Sequence, residues 1–409
     1  MNLLKVLRLS SYCYPEQIAS SHLAKDMNEA YEKAGIVCEI HTPTPTRGID
    51  KETRKKYKKI RYEELNNGYV QIHRFSMFAE PKNSLLRAFR YTLCIIRQFF
   101  CGIGAKNIDV YYASSTPPIN GLIMALLKKF KKYKIVYSLQ DIFPDSLVNT
   151  GMTKKGSIIW KIGAWIEKVT YRAADKIIVI SNSMKQNILA KGVPEEKIEV
   201  ISNWIDTDAV KPIPKEDNKL YEEYGIPRNK FIVLYAGNMG AAQGTDVILK
   251  SAELLKDNDD IQFVIFGGGS GFESAKKYVE EKQLANVIIN GLLPQDRVPE
   301  VYSLGDIAII TCKKGSASSA MPSKTWTIMA CNAPIVAAFD TDSELAEILK
   351  EANAGVAVEP GNAEVLSREI LRAHGSSSGE CGGRKHVMNN ASKQVCVEKH
   401  ICVIKSLCN

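Results

Sequence analysis

Three glycine- or serine-rich segments of the sequence have the composition of anion-binding turns. They are GNMGAAQG (237–244), GGGSG (267–271) and KKGSASSAMPSK (313–324), and each follows a short apolar run and precedes a helical pattern. Glycine lets a ligand approach the backbone closely, and the first turn of a helix offers N–H groups that have no partner within the helix. One such segment alone is better explained as an ordinary turn, but three together predict a site for a phosphate-bearing ligand.

Motifs for several other chemistries are missing from the sequence. A dinucleotide fingerprint beginning at Gly267 would need glycine at position 272, which is Phe272, and there is no GxxxxGK[ST], HExxH or GxSxG. One Asp-x-Asp pair begins at Asp206 in a polar linker, and another begins at Asp340, where Thr341 or Ser343 can cap a helix. The sequence therefore predicts neither a P-loop NTPase nor a metal site, and no cofactor.

Short apolar runs typical of strands alternate along the chain with amphipathic stretches typical of helices. Most of the runs are continuously apolar, as in strands that are covered on both faces of a parallel sheet. The pattern breaks at a polar stretch with several prolines (205–230), where we place a domain boundary near residue 212. Repeated βα units on both sides of the break predict an α/β protein with two doubly wound parallel sheets. The predicted strands are 3–9, 36–41, 69–74, 108–114, 134–139, 176–181 and 197–202, and then 231–237, 261–267, 286–291, 306–311, 334–339 and 355–360.

The charge of the chain is moderately positive and clustered. There are 54 basic and 45 acidic residues among 409, and the runs at 51–61 and 127–134 hold seven and five basic residues. Aromatic residues are not interleaved with these runs as a nucleic-acid surface would need, so an anionic membrane or a phosphate-bearing substrate is favoured over nucleic acid, with plain solvated faces as the alternative.

One further segment, 84–100, has the pattern of a basic amphipathic helix. Leu85, Phe89, Leu93, Ile96 and Phe100 recur at helical spacing beside Arg87, Arg90 and Arg97. We predict that this face lies on an anionic membrane, although the same pattern fits an ordinary half-buried helix.

The ten cysteines lie mostly in apolar segments and show no CxxC pair, so we expect reduced thiols. The N-terminal residues lack a secretory pattern, and no stretch reaches about 18 apolar residues. We therefore expect a cytoplasmic protein, associated peripherally with the inner face of the cell membrane.

Four segments occur in an order that carries a family resemblance. They are GNMGAAQGTDVILKSAELL, IQFVIFGGGSG, NVIINGLLPQDRVPEVYSLGDIAII and MPSKTWTIMACNAPIVA, and the N-terminal half adds SLQDIFPDSL and GVPEEKIEVISNWID. The chain resembles retaining glycosyltransferases of family 4 with the GT-B fold, most closely the bacterial branch that acts on lipid-linked O-antigen and capsule precursors.

The resemblance implies a fold of two Rossmann-like domains facing across a cleft. It implies an acceptor-binding domain at 1–212, a donor-binding domain at 213–385 and a C-terminal helix at 386–409 that crosses back to the first domain. The implied reaction moves an N-acetylated or deoxy hexose from a nucleotide diphosphate donor, a UDP-sugar, to a lipid-linked saccharide, without a metal ion.

The resemblance also implies the site residues. The predicted catalytic residues are Asp141 and Lys324. Asp141 follows a strand of the first domain, where it would position the acceptor or cap the helix after Pro144. Lys324 lies in the first turn of the helix that follows strand 306–311, and since positions 238 and 243 carry no cation we predict that it holds the donor diphosphate. Donor binding is implied for Gly237, Asn238, Gln243, Gly267, Gly268, Gly269, Gly291, Leu292, Pro322, Ser323, Lys324 and Thr327.

Two departures from the family pattern bear on activity. Ser319 and Thr327 stand where many members carry a pair of glutamates, and Asn238 and Gln243 stand where many members hold the diphosphate with arginine and lysine. Two alternatives therefore stay open: an inactive sugar-nucleotide-binding or scaffold protein, and a GT-B nucleotide-sugar 2-epimerase.

Overall fold

A computed structural model of the protein describes residues 3–16, 21–81, 83–149, 152–315, 321–376 and 381–408. The chain divides into two compact units, the first formed by residues 1–202 with 396–409 and the second by residues 203–395. The sequence-based boundary near residue 212 lies ten residues beyond the end of the first segment, because the linker at 203–210 packs with the second unit: Val210 belongs to its buried core.

The first unit is built around an eight-stranded sheet in the order β3-β4-β2-β1-β5-β6-β7-β8. Seven strands are parallel and correspond to the predicted runs, while β3 pairs antiparallel with β4 at the edge and was not predicted. The strands are β1 (Lys5–Leu9), β2 (Val37–Pro43), β3 (Tyr62–Leu65), β4 (Val70–Phe75), β5 (Val110–Ser114), β6 (Lys134–Leu139), β7 (Lys176–Val179) and β8 (Ile198–Val200). The helices are α1 (Ser21–Ala34), α2 (Lys51–Tyr57), α3 (Ser84–Gly104), α4 (Asn120–Phe130), α5 (Asp145–Asn149), α6 (Ile158–Ala173) and α7 (Asn182–Ala190).

The second unit holds a six-stranded parallel sheet in the order β11-β10-β9-β12-β13-β14. The first strand in sequence, β9, is central, and the order reverses between β9 and β12, as in doubly wound nucleotide-binding sheets. The strands are β9 (Phe231–Asn238), β10 (Ile261–Gly268), β11 (Val287–Gly291), β12 (Ile307–Thr311), β13 (Ile335–Ala338) and β14 (Gly355–Val358). The helices are α8 (Leu220–Glu223), α9 (Asp246–Leu254), α10 (Phe272–Glu281), α11 (Val298–Tyr302), α12 (Lys324–Ala330), α13 (Glu344–Glu351), α14 (Ala363–Gly375) and α15 (Gly383–Asn390).

Alternate residues of β9 show why its sequence is continuously apolar. Ile232, Leu234 and Ala236 belong to one buried cluster, and Val233 and Tyr235 belong to another on the opposite face. Because helices cover both faces of the sheet, both sets of side chains leave water. The predicted α/β class with two doubly wound parallel sheets is confirmed.

The C-terminal segment forms two helices where the sequence suggested one. After α15, Ala391 ends the helical hydrogen bonding, and α16 (Lys393–Ser406) begins two residues later. Residues from Cys396 onward belong to the first unit, where His400 is buried and its Nδ1 lies 3.0 Å from the Tyr112 hydroxyl.

The segment predicted as a basic amphipathic helix is α3, and one of its arginines is not on the surface. Arg90 is fully buried, and its Nε donates to the Phe78 carbonyl oxygen at 2.9 Å. The prediction that Arg90 faces lipid is wrong, because this guanidinium fastens the loop after β4 to the helix. The side chain of Leu85 is outside the described part. Leu86, Phe89, Ile96 and Phe100 are exposed.

No helix within the described ranges is both long enough and apolar enough to span a bilayer.

Candidate functional site

Three glycines lie side by side at the carboxyl edge of the second sheet. Gly237 of β9 is in register with Gly267 of β10, which is in register with Gly291 of β11. Ligands of doubly wound sheets bind outside this edge, where the strand order reverses. A Cβ at Gly291 would meet nothing within 4 Å, whereas the space beside Gly237 and Gly267 is taken by the side chains of Lys324 and Met239.

The turns after β9 and β10 interlock through their backbones. Met239 N donates to the Gly268 carbonyl oxygen at 2.6 Å, and Gly271 N donates to the Met239 carbonyl oxygen at 2.9 Å. A Cβ at position 271 would lie 2.3 Å from that Met239 oxygen, and a Cβ at Gly269, where φ is +99°, would lie 2.1 Å from the Asn238 Oδ1. Glycine is therefore required for the two turns to fit together.

The turn after β12 joins the same edge. Lys313 N donates to the Ala242 carbonyl oxygen at 3.1 Å, which ties the segment after β12 to the turn that contains Gln243. Residues 316–320 lie outside the described part, and with them Ser319. The first two turns and the described parts of the third are thus brought together on one edge.

Lys324, the first residue of α12, reaches back to β9 at the point where the strand order reverses. Its Nζ donates to the Ala236 carbonyl oxygen at 3.1 Å and lies 4.2 Å from the centroid of the Tyr235 ring. A Cβ at Gly237 would lie only 2.8 Å from Nζ, so the glycine makes room for the ammonium group.

Burial lowers the pKa of Lys324 to about 8. Within the described ranges no carboxylate forms an ion pair with this ammonium group, and the contacts to the Ala236 carbonyl and the Tyr235 ring offset only part of the cost of desolvation. An anion at this edge would restore the lost solvation of Nζ. The arrangement is suited to hold a phosphate group.

The other predicted donor residues lie along the same edge of the sheet or at the start of α12. Leu292, which is exposed, reaches over Gly268, where a Cβ would lie 2.8 Å from its Cδ1. Ser323 precedes α12 but makes no side-chain cap, and the Pro322 carbonyl oxygen accepts from Thr325 N at 3.0 Å. Thr327 is half-buried on α12.

Asp141 belongs to the first unit and lies exposed in the turn between β6 and α5. Within the described ranges no backbone N–H of α5 donates to its carboxylate, so the structure gives no support to a capping role.

Sequence reasoning missed three residues that shape the site. Met239 packs beneath Gly267, where a Cβ would lie 2.3 Å from its sulfur, and Tyr302 donates to the same Ala236 oxygen that Lys324 contacts, at 3.1 Å. Tyr235 supplies the ring beneath the ammonium group. All three look like ordinary core residues in the sequence, and only the long-range packing shows their role.

Two family models match consecutive parts of the chain. Residues 21–209 match Glycosyltransferase Family 4, and residues 216–394 match Glycosyl transferases group 1. WbjE of Pseudomonas aeruginosa, named as a glycosyltransferase, is 28% identical over 307 residues, 74% of this chain and 76% of WbjE. WcaI of Escherichia coli, named for colanic acid biosynthesis, is 28% identical over 254 residues, 61% of this chain and 62% of WcaI.

Solved structures share the fold. Anabaena HepE in complex with UDP superposes with a TM-score of 0.71 at 14% identity, over 98% of this chain and 100% of HepE. The two units, each built on a parallel sheet, define the GT-B fold. The two family models together span most of the chain, which therefore belongs to the glycosyltransferases that combine a family 4 domain with a group 1 domain.

Proposed function

We propose that this protein transfers an N-acetylated or deoxy hexose from a UDP-sugar to a lipid-linked saccharide, with retention at the anomeric carbon and without a metal ion. The observation that carries the proposal is Lys324, a half-buried cation beside a row of glycines at the edge where the strand order reverses. Structures of Anabaena HepE with UDP and with UDP-glucose support a nucleotide-sugar donor for this fold.

In the proposed reaction the bond between the anomeric carbon and the diphosphate oxygen breaks, and its electron pair leaves with the diphosphate. The acceptor hydroxyl oxygen forms the new bond to the anomeric carbon on the same face of the sugar, and its proton passes to the departing diphosphate oxygen. Lys324 would stabilise the charge that develops on this leaving group, and Gly237 makes room for its ammonium group at the end of β9. A fixed cation in a poorly solvated site costs no reorganisation during the reaction. We assign Asp141 the task of positioning the acceptor.

We further propose that the first unit rests on an anionic membrane surface, where a lipid-linked acceptor is found. The helix α6 exposes Ile158, Ile159, Ile162 and Trp165. Its single acid, Glu167, is buried and pairs with Lys191 at 2.7 Å, so the exposed charges of α6 are all basic. Exposed apolar and basic side chains on one helix are typical of binding at a bilayer interface.

The central test is Lys324→Ala, with Lys314→Ala as the matched control. Lys314 is exposed on the same turn and pairs with Glu359 at 3.1 Å. We expect Lys324→Ala to lower kcat/KM roughly ten- to a thousandfold, since it removes a charge-assisted contact to the leaving group, while the melting temperature changes little. Lys314→Ala should keep wild-type kinetics.

The same assay separates the alternatives. Wild-type rates in Lys324→Ala would remove this lysine from the site. A wild-type protein that binds UDP-sugars in a thermal-shift panel but neither transfers nor hydrolyses them would be the inactive binding protein, and formation of an epimerised sugar nucleotide without acceptor would identify an epimerase.

A further inference from the structure

A cavity of about 770 Å³ lies in the first unit beside the carboxyl ends of β2 and β4. Lys58, Arg61 and Arg97 contribute its cationic lining, and Phe78, Ile96 and Phe100 are among its apolar residues. The volume is in the range of small-ligand sites, and the edge of the sheet is the one where doubly wound folds bind ligands.

The three cations of the cavity have no acidic partner among the described residues, whereas nearby acids are already engaged. Glu63 pairs with the buried guanidinium of Arg74, and Glu80 accepts a hydrogen bond from the Tyr12 hydroxyl at 3.1 Å. The lining contains no acidic residue. The cavity therefore carries a net positive charge that an anionic ligand would neutralise.

The apolar wall continues onto the exposed surface of α3. Ile96 and Phe100 line the cavity and are at the same time 47% and 64% exposed, on the helix that also exposes Leu86 and Phe89. The loop that carries Phe78 is held in place by the buried Arg90. A ligand whose charged group meets the cations would thus have a fixed apolar surface on which to lay a hydrocarbon chain.

We propose that this cavity binds the phosphate of a long-chain alkyl or isoprenoid phosphate, the lipid carrier of the acceptor. The inference rests on the proposed function and specifies how the acceptor is held: the phosphate between Lys58, Arg61 and Arg97, and the chain along Ile96 and Phe100. A free anion would leave the apolar wall exposed, and a neutral lipid would leave the cations unpaired.

The test is binding of farnesyl diphosphate below its micelle concentration, measured by calorimetry with saturating UDP present to occupy the site around Lys324. We expect Arg61→Glu and Arg97→Glu to weaken binding about tenfold or more, and Phe100→Ser to weaken it less. The matched controls are Lys55→Glu and Lys59→Glu, exposed lysines of the same basic run outside the lining, which should bind within about twofold of wild type.

Inorganic diphosphate and farnesol should each bind at least tenfold more weakly than farnesyl diphosphate. Equal binding of inorganic diphosphate, or no effect of Arg61→Glu and Arg97→Glu, would overturn the proposal. Displacement of farnesyl diphosphate by an equal concentration of a soluble short-chain phosphatidylglycerol would also overturn it, in favour of a bulk-lipid contact. UDP-glucose binding, measured in the same variants, reports on the donor site separately, so a failure here leaves the proposed transfer intact.

Discussion

At the scale of single residues, the sequence predicted that Lys324 belongs to the site but not the contacts that bury it. The sequence identified it because it lies in the first turn of a helix after the strand at 306–311, and because positions 238 and 243 carry Asn and Gln in place of cations. Its contacts with the Ala236 carbonyl and the Tyr235 ring come from residues almost ninety positions away. No local pattern contains such a contact, so the lowered pKa could not be predicted.

That pKa predicts how donor binding depends on pH. Because burial lowers the pKa of Lys324 to about 8 in the free protein, the ammonium form that attracts a diphosphate is depleted as pH rises through this value. We expect the affinity for UDP-glucose to be flat below about pH 7 and to fall about fourfold between roughly pH 6.5 and 8.5. Calorimetric titrations across this range measure the slope.

Lys324→Arg is the control for that titration. Arginine stays charged at every pH in the range, so the slope should disappear in this variant even if the absolute affinity changes. Equal slopes in wild type and Lys324→Arg would show that another group governs the dependence.

At the scale of elements, the glycine-rich turns were predictable and their interlocking was not. The glycine content of residues 237–244 and 267–271 predicts that turns follow the two strands. The hydrogen bonds that join Met239 to Gly268 and Gly271 depend on the register of neighbouring strands, which the sequence does not show. The edge strand β3 was missed for a different reason. Its sequence, YEEL, has neither a continuous apolar run nor a β-branched residue. It forms a strand because it pairs with β4.

Two glycines of this edge should respond differently to the same substitution. A Cβ at Gly271 would lie 2.3 Å from the Met239 carbonyl oxygen, whereas a Cβ at Gly291 meets nothing within 4 Å. We expect Gly271→Ala to lower the free energy of unfolding by about 2 kcal/mol, because backbone must move, and Gly291→Ala to change it by less than about 0.5 kcal/mol. Urea unfolding of the two variants measures the difference. A loss of equal size in both would contradict the interlocked turns.

We expect the first unit to lose stability at acid pH because His400 of α16 is buried in it. Burial, with a smaller effect of the Arg8 charge, lowers the pKa of His400 to about 4, against 6.5 for an unperturbed histidine. The unfolded chain therefore binds a proton at His400 more readily than the folded protein does. The contribution of neutral His400 to the free energy of unfolding is complete above about pH 6.5 and is lost as pH falls toward 4.

The size of this effect can be isolated with His400→Asn, which keeps a polar atom near Nδ1 for the Tyr112 hydroxyl but does not titrate. Between about pH 7 and 4.5 the wild type should lose about 2 kcal/mol more unfolding free energy than the variant. Urea midpoints at the two pH values provide the comparison, and parallel losses would mean that His400 is not buried as neutral imidazole.

At the scale of the whole molecule, exposed apolar side chains are concentrated on one helical layer of the first unit. The helix α4 packs against both α3 and α6, and each of the three exposes large apolar residues, among them Phe89, Phe130 and Trp165. The sequence indicated α3 as the membrane-binding helix through its arginines. It gave no such indication for α6. In its sequence, IIWKIGAWIEKV, the acid Glu167 would be expected to face water and the apolar residues to face the core, whereas in the structure Glu167 is buried and several of the apolar residues are exposed.

This layer predicts how the protein should sediment with vesicles. Ile162 and Trp165 are 54% and 56% exposed on α6, and moving such side chains from water into a bilayer interface contributes about 1.5–3 kcal/mol each. Ile162→Ser with Trp165→Ser should therefore release most of the protein from vesicles that contain phosphatidylglycerol.

Leu254→Ser, at a 54% exposed leucine of the second unit, is the matched control and should sediment like wild type. Both proteins should keep their melting temperature, since the replaced side chains contribute little to the core. Binding that persists in the α6 variant, or that is lost equally in the control, would place the membrane contact elsewhere on the molecule.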